Sequence, residues 1–290
     1  MRKFKISDLA ARRMKSLSAP AEEEKQELRK AEEAEASGKA EQLRPQPAEH
    51  LHVTHRTDVG LVRKNNQDTV IVSGNLLGVA DGMGGHRGGE VASAGAREGM
   101  LRALQGKEPS LEALENAVKE VNLALWNQQA EDENLSGMGT TLSVLWPAGE
   151  QMLIAHVGDS RIYLLREDKL LQVTKDHSMV ADMVRKGLLT EEQAAVHPMR
   201  NYITRAVGTE PTIQADMLAL ERQAGDRWLI CSDGLHGLLS REELKTLMGQ
   251  EDLEEAADQM MRDALDRGGR DNISLVLISD DMPTESGVAE

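Results

Sequence analysis

The 290-residue chain has one cysteine, Cys231, so neither an internal disulfide nor a cysteine-rich zinc module can form, which suits a reducing compartment. It has no run of about 18 apolar residues, which excludes a bilayer-spanning helix. No apolar stretch follows the basic start Met1-Arg2-Lys3, so a cytoplasmic protein without a secretory leader is expected. An excess of basic charge is missing too. Lys and Arg number 34 against 49 Asp and Glu, a net charge of −15, which is the wrong sign for a nucleic-acid backbone or an anionic membrane as the main partner.

The acid is unevenly placed. Residues 1–50 hold 11 basic and 10 acidic groups, so the excess belongs to the remainder. Residues 21–43 are rich in Ala, Glu and Lys, with Glu35 and Lys39 four apart, which favours a solvated helix without an apolar stripe to bury. Arg44-Pro45-Gln46-Pro47 ends that helix and starts a linker. The expected organisation is a loosely helical extension over 1–50, a folded domain over 51–281 and a short tail over 282–290. The extension is expected to be a mobile leader, although the basic stretch Met1–Ser18 also fits a small docking segment.

In the folded part, Thr69–Ser73 and Leu76–Ala80 read as strands joined at Gly74-Asn75. A helix follows Gly89, and Leu111, Leu114, Val118, Val121 and Leu125 repeat at helical spacing. Thr140–Trp146, Met152–Val157 and Arg161–Leu165 form a meander of strands. Asp226–Ser232 and Ile273–Ser279 are late strands, with helices at Arg241–Met248 and Leu253–Asp266 between them. Short links favour antiparallel pairing, and helices that arrive in pairs favour an α+β layered sandwich over a doubly wound sheet.

The chemistry lies in the aspartates. Asp81 precedes Gly82-Met83-Gly84-Gly85, Asp159 follows Gly158, Asp233 precedes Gly234, and Asp271 stands beside Asn272 before a strand. One Asp-Gly is a turn dipeptide. Four carboxylates where apolar strands meet tight turns, with no matching buried Lys or Arg, call for a divalent cation, and oxygen-only ligation selects Mg²⁺ or Mn²⁺. Such clusters serve phosphate chemistry, in which two metals clamp the attacking and leaving oxygens. Arg63 is the candidate grip for phosphate.

Other chemistries lack their signatures. Gly82 to Gly89 has neither the Gly-Lys-Ser/Thr ending of a P-loop nor a G-x-G-x-x-G after a strand, and no G-x-S-x-G elbow occurs. A cysteine nucleophile wants Arg six positions on, where Gly237 stands, so Cys231 reads as a buried strand residue. The eight histidines show no zinc spacing.

From about residue 52 to 280 the chain resembles the metal-dependent serine/threonine protein phosphatases of the PPM, or type 2C, family in its bacterial form. The resemblance rests on Arg63 with Asn66-Gln67-Asp68, Asp81-Gly82-Met83-Gly84-Gly85-His86, and Gly137-Met138-Gly139-Thr140-Thr141. It continues through Gly158-Asp159-Ser160-Arg161, Thr174-Lys175-Asp176-His177-Ser178, Ser232-Asp233-Gly234-Leu235 and Arg270-Asp271-Asn272, all in family order. It implies a four-layer α-β-β-α sandwich of two mostly antiparallel sheets flanked by paired helices.

The resemblance also implies site roles. Asp81, Asp233 and Asp271 would ligate one ion, with Asp81 bridging to a second that also takes the carbonyl of Gly82. Asp159 with Asp233 would hold a weaker third. Arg63 would grip the phosphate, and Asp68 would hydrogen-bond a water on the metal. The stretch from about His177 to Val207 resembles the family's mobile flap. The implied reaction is hydrolysis of protein phosphoserine and phosphothreonine without a phosphoenzyme, opposing serine/threonine kinases, by a monomer whose partners are phosphorylated proteins and a kinase. A narrower phosphatase of one regulatory protein and a catalytically silent binding module are the rival readings.

Two positions depart from the family pattern. Gln67 stands where many members have Glu, which removes a negative charge near the second ion. Met83 stands where eukaryotic members often place a His general acid, so a water on the metal must protonate the leaving group. His86 comes three residues too late for that role and reads as a turn residue.

Overall fold

The computed structural model describes residues 50–84 and 88–282. The expected N-terminal helix, nearly all of the expected tail, Gly85 and His86 lie outside the described residues.

Alternation along the strands builds three apolar layers. The strands are β1 (Leu51–Asp58), β2 (Asp68–Ser73), β3 (Leu76–Met83), β4 (Gly139–Thr140), β5 (Leu142–Ala148), β6 (Gln151–Val157), β7 (Arg161–Arg166), β8 (Lys169–Gln172), β9 (Asp216–Glu221), β10 (Arg227–Cys231) and β11 (Ile273–Asp280). One sheet runs β1-β11-β10-β7-β8 and the other β2-β3-β5-β6-β9, with β4 paired to β3. Every pairing is antiparallel.

In β10, Trp228 and Ile230 face one way and Leu229 and Cys231 the other; in β11, Val276 and Ile278 alternate with Leu275 and Leu277. The first set meets Leu77, Val79, Leu145 and Ile154 of the second sheet, which makes the sandwich interior. The opposite face of the second sheet (Ile71, Val144, Leu153, Val157) is covered by α1 (Gly88–Leu104) and α2 (Leu111–Glu131). The outer face of the first sheet packs on α6 (Arg241–Met248) and α7 (Leu253–Asp266). Each fully buried large side chain contributes roughly 1.5–3 kcal/mol. The result is the α-β-β-α layering that the sequence predicts.

Some boundaries move. β3 runs three residues past Ala80, so Asp81 lies inside a strand and not after one. The expected strand Thr140–Trp146 is broken at Thr141 into β4 and β5. The predicted strands leave out β1, β8 and β9, three strands with polar or exposed outward positions and shallow alternation. The expected flap contains two short helices, α3 (Met179–Arg185) and α4 (Glu191–Ala195). Its base is cinched by the bridges Ser178–Ile203 and Thr140–Val207, while Leu188, Val196 and Tyr202 lie exposed beyond it.

Candidate metal centre

The site forms where β2 and β3 approach the starts of β11 and the one-turn helix α5 (Asp233–His236). The β2–β3 register sets Asp68 opposite Asp81. Asp81 also feels the charges of both Asp68 and Asp233. Carboxyl groups this close share either a proton or a cation.

The backbone around Asp81 is locked by the Gly-Thr-Thr segment. Asp81 N–H donates to Thr141 Oγ1 (2.9 Å), and the Asp81 carbonyl accepts from Thr141 N–H (2.9 Å) and Thr140 Oγ1 (3.0 Å). Gly82 has no room for a side chain, because a Cβ there would lie 2.0 Å from the Gly89 carbonyl oxygen. Asp68 is held at one oxygen only: Ser232 Oγ donates to its Oδ2 (2.8 Å), and Oδ1 is buried with no hydrogen-bond partner among the described residues. Asp159 Oδ1 is buried and unpartnered in the same way.

The turn that carries Asp159 is fixed by two histidines. His177 N–H donates to the Gly158 carbonyl (2.8 Å), and Gly158 N–H donates to His177 Nδ1 (3.0 Å). His236 Nε2 donates to the Asp159 carbonyl (3.0 Å). Arg161 stands two residues from Asp159 but is committed to Asp176, which it meets through Nε and Nη2.

Crowding leaves its mark on the acids. Burial, then the charge of Asp233, pushes Asp159 up to about 8. Burial raises Asp68 to about 6, and burial with the Asp271 charge raises Asp233 to about 6. Asp81 is held well above the usual carboxylate range by burial and then by Asp68. Each shift disfavours negative charge, as expected where charge collects with no cation to balance it.

Arg63 and Asp271 meet each other directly, with Nη2 donating to Asp271 Oδ2 at 2.6 Å, and that bond raises the Arg63 pKa. The sequence reading gives these two residues separate tasks, and in the structure they are paired. Asp81, Asp233, Asp68, Asp271 and Arg63 thus come together in one cluster, and Asp159 adjoins it through Asp233. Among the described residues no three His, Cys, Asp or Glu side chains are grouped as a ready-made cage for an ion, so the acids are neighbours and not a closed ligand set. The donor set nevertheless fits a hard divalent cation: it is all oxygen, and it includes two unpartnered buried carboxylate oxygens.

The Gln67 side chain packs against Gly89, while its carbonyl accepts from Gly82 N–H (3.1 Å) and Ser93 Oγ (2.6 Å). Met83 pairs with Gly139 at the end of β3. Burial pushes the Cys231 thiol up to about 12, which agrees with an inert strand residue. The local sequence pattern assigns no role to Thr140, Thr141, Ser232, His177, His236 or Asn272. All but His236 stand in the motifs quoted for the resemblance, and that was the available signal.

Comparison with known proteins points to one family. The profile of the family described as Protein phosphatase 2C matches residues 59–277. The chain is 41% identical over 230 residues to the serine/threonine protein phosphatase PstP of Mycobacterium tuberculosis, covering 78% of this chain and 44% of PstP. It thus spans less than half the length of that relative. It is 37% identical over 249 residues to the serine/threonine phosphatase Stp of Listeria monocytogenes, covering 82% of this chain and 98% of that protein. The crystal structure of the PstP catalytic domain in complex with two manganese ions superposes with a TM-score of 0.74 at 38% identity, covering 80% of this chain and 98% of that one. The chain belongs to the protein phosphatase 2C family.

Proposed function

We propose that this chain hydrolyses phosphoserine and phosphothreonine on proteins, opposing serine/threonine kinases, with two divalent cations at the aspartate cluster. The carrying observation is that Asp68, Asp81 and Asp233 are close enough neighbours for burial and one another's charge to raise their carboxyl groups, with Asp271 beside them paired to Arg63 at the rim. The manganese-bound PstP structure supports it.

Asp81, Asp233 and Asp271, with the Gly82 carbonyl, would hold the ions, and Asp159 with Asp233 would add a weaker third position. When bound, Mn²⁺ or Mg²⁺ supplies the positive charge that makes water nucleophilic at neutral pH and offsets charge on the phosphate. The chain's own residues do the rest. Arg63 is half exposed and uses one nitrogen on Asp271, leaving its other N–H groups to hold phosphate oxygens. Asp68 keeps Oδ1 free to accept a proton from the attacking water. Ser232 fixes the rotamer of Asp68 through Oδ2. Met83 cannot donate a proton, so the proton for the leaving alkoxide would come from a water held at the aspartate cluster. The flap beyond Ser178 and Ile203 is where the substrate protein would be chosen. The acting form is a monomer in the cytoplasm.

Phosphate release from a phosphothreonine peptide, a phosphoserine peptide and a phosphotyrosine peptide, each with Mn²⁺ and with EDTA, tests this reading. It requires release from the first two only, abolished by EDTA and without a trapped phosphoprotein. Metal-independent release would overturn it, as would a covalent phosphoenzyme.

A further inference from the structure

Asn272 is almost wholly buried, and its side chain bonds to nothing but one loop. Nδ2 donates both protons to carbonyls of residues 59–67, to Val59 at 2.9 Å and to Asn65 at 3.0 Å, while Oδ1 accepts from Gln67 N–H at 2.8 Å. Both ends of the loop are therefore drawn to one amide, and Arg63 lies between them. The backbone of Asn272 faces the acids. Its N–H donates to Asp271 Oδ1 (2.9 Å), and its carbonyl oxygen would lie 2.0 Å from a Cβ at Gly234, the residue after Asp233. One residue thus touches the loop of the phosphate grip, one acidic side chain and the turn of another.

We infer that Asn272 is a positioning residue that registers Arg63 against the aspartate cluster through its grip on the 59–67 loop. The inference rests on the phosphatase reading above. An aliphatic side chain would leave two carbonyls and an amide N–H unpaired in a buried place, and an Asp would set oxygen against both carbonyls, so only an amide of this length satisfies all three. Arg63 is long and half exposed. Its aim toward the acids depends on where the loop places its Cα, and Asn272 sets that position.

The test is a double-mutant cycle of Asn272→Ala and Arg63→Ala, measured as kcat/KM on a phosphothreonine peptide with saturating Mn²⁺. If Asn272 acts through Arg63, its removal costs about tenfold or more in the wild-type background and about threefold or less when Arg63 is already gone. Equal losses in both backgrounds would show general structural damage and overturn the inference. An inactive wild-type protein would instead mark failure of the phosphatase reading.

Hydrogen exchange on the unmodified protein decides the matter if Asn272→Ala does not fold. The amide of Gln67 is expected to exchange as slowly as those paired within β1 and β11. Exchange at the rate of an open loop would overturn the inference.

Discussion

Asp68 and Asp81 stand directly opposite one another in the β2–β3 ladder, two carboxylates at a position where like charges oppose pairing. The fold tolerates this pair at the end of a hairpin whose other positions are well packed, and the arrangement is useful only if positive charge arrives. Asp68→Asn keeps the shape and an oxygen for Ser232 while removing one charge. In EDTA it is expected to raise stability by about 1 kcal/mol, ~2–4 °C in melting temperature. With Mn²⁺ it is expected to lower turnover on a phosphothreonine peptide by about a hundredfold or more. Thermal melts paired with phosphate release check both; a variant that is both less stable and fully active would contradict this reading of the pair.

The raised acids set a pH dependence for the metal-free protein. Asp159 titrates near 8 when folded and near 4 when unfolded, so the folded state holds the extra proton. Stability from that proton is complete below about 4 and is lost as pH rises through about 8. Between pH 7.5 and 8.5 the buried histidines are almost wholly neutral in both states and do not oppose the trend. Melting temperature in EDTA is therefore expected to fall across this window. Saturating Mn²⁺ is expected to flatten the fall, since ligands bind deprotonated. Equal slopes with and without the ion would contradict it.

Acid lability has a separate source in His156. Its Nδ1 accepts from Ser143 Oγ (2.9 Å), its Nε2 donates to the Lys175 carbonyl (3.1 Å), and its ring lies 4.9 Å from that of His177. Burial, then His177, lowers its pKa to about 4. Stability from the neutral ring is present above about 6.5 and is lost as pH falls through about 4. Replacing His156 with Gln is expected to make the melting temperature less sensitive to pH between 6.5 and 4, read from melts in EDTA. An unchanged slope would contradict it.

The two sheets are joined at their ends by a buried ion pair. Arg222 follows β9 and donates through Nε and Nη2 to Asp280 of β11 at 2.6 and 2.8 Å, and its Nη1 reaches the Gly149 carbonyl. Arg222→Ala strands a buried carboxylate and is expected to cost roughly 3–5 kcal/mol, whereas Arg222→Leu with Asp280→Leu is expected to cost much less. Chemical denaturation of the three proteins checks the ordering.

Much of the architecture is legible because the inner strands alternate cleanly. Trp228 to Cys231 and Ile273 to Ile278 announce a strand with apolar packing on both faces, and paired helices then require four layers. β1, β8 and β9 carry outward His55, Lys169 or Glu221 and few apolar positions, so local pattern alone does not mark them. At the site, Asp81, Asp159 and Asp233 are visible as carboxylates beside glycine next to apolar runs, and Asp271 as one just before such a run. Asp68 carries no such local cue and enters only by resemblance. Thr141, Ser232 and Asn272 act through hydrogen bonds to residues 60, 164 and 205 or more positions away, as Thr141 to Asp81, Ser232 to Asp68 and Asn272 to Gln67 show. No local spacing encodes such contacts. The pairing of Arg63 with Asp271 across 208 positions is invisible for the same reason.

In the proposed function the aspartate cluster binds divalent cations and hydrolysis depends on them. Calorimetric titration of Mn²⁺ into the intact chain and into Asp233→Asn, with phosphothreonine peptide turnover measured on the same samples, tests this most directly. Two ions are expected to bind the intact chain, with weakened binding and turnover lowered by about a hundredfold or more in the variant. Unchanged ion binding and turnover after loss of the Asp233 charge would contradict it.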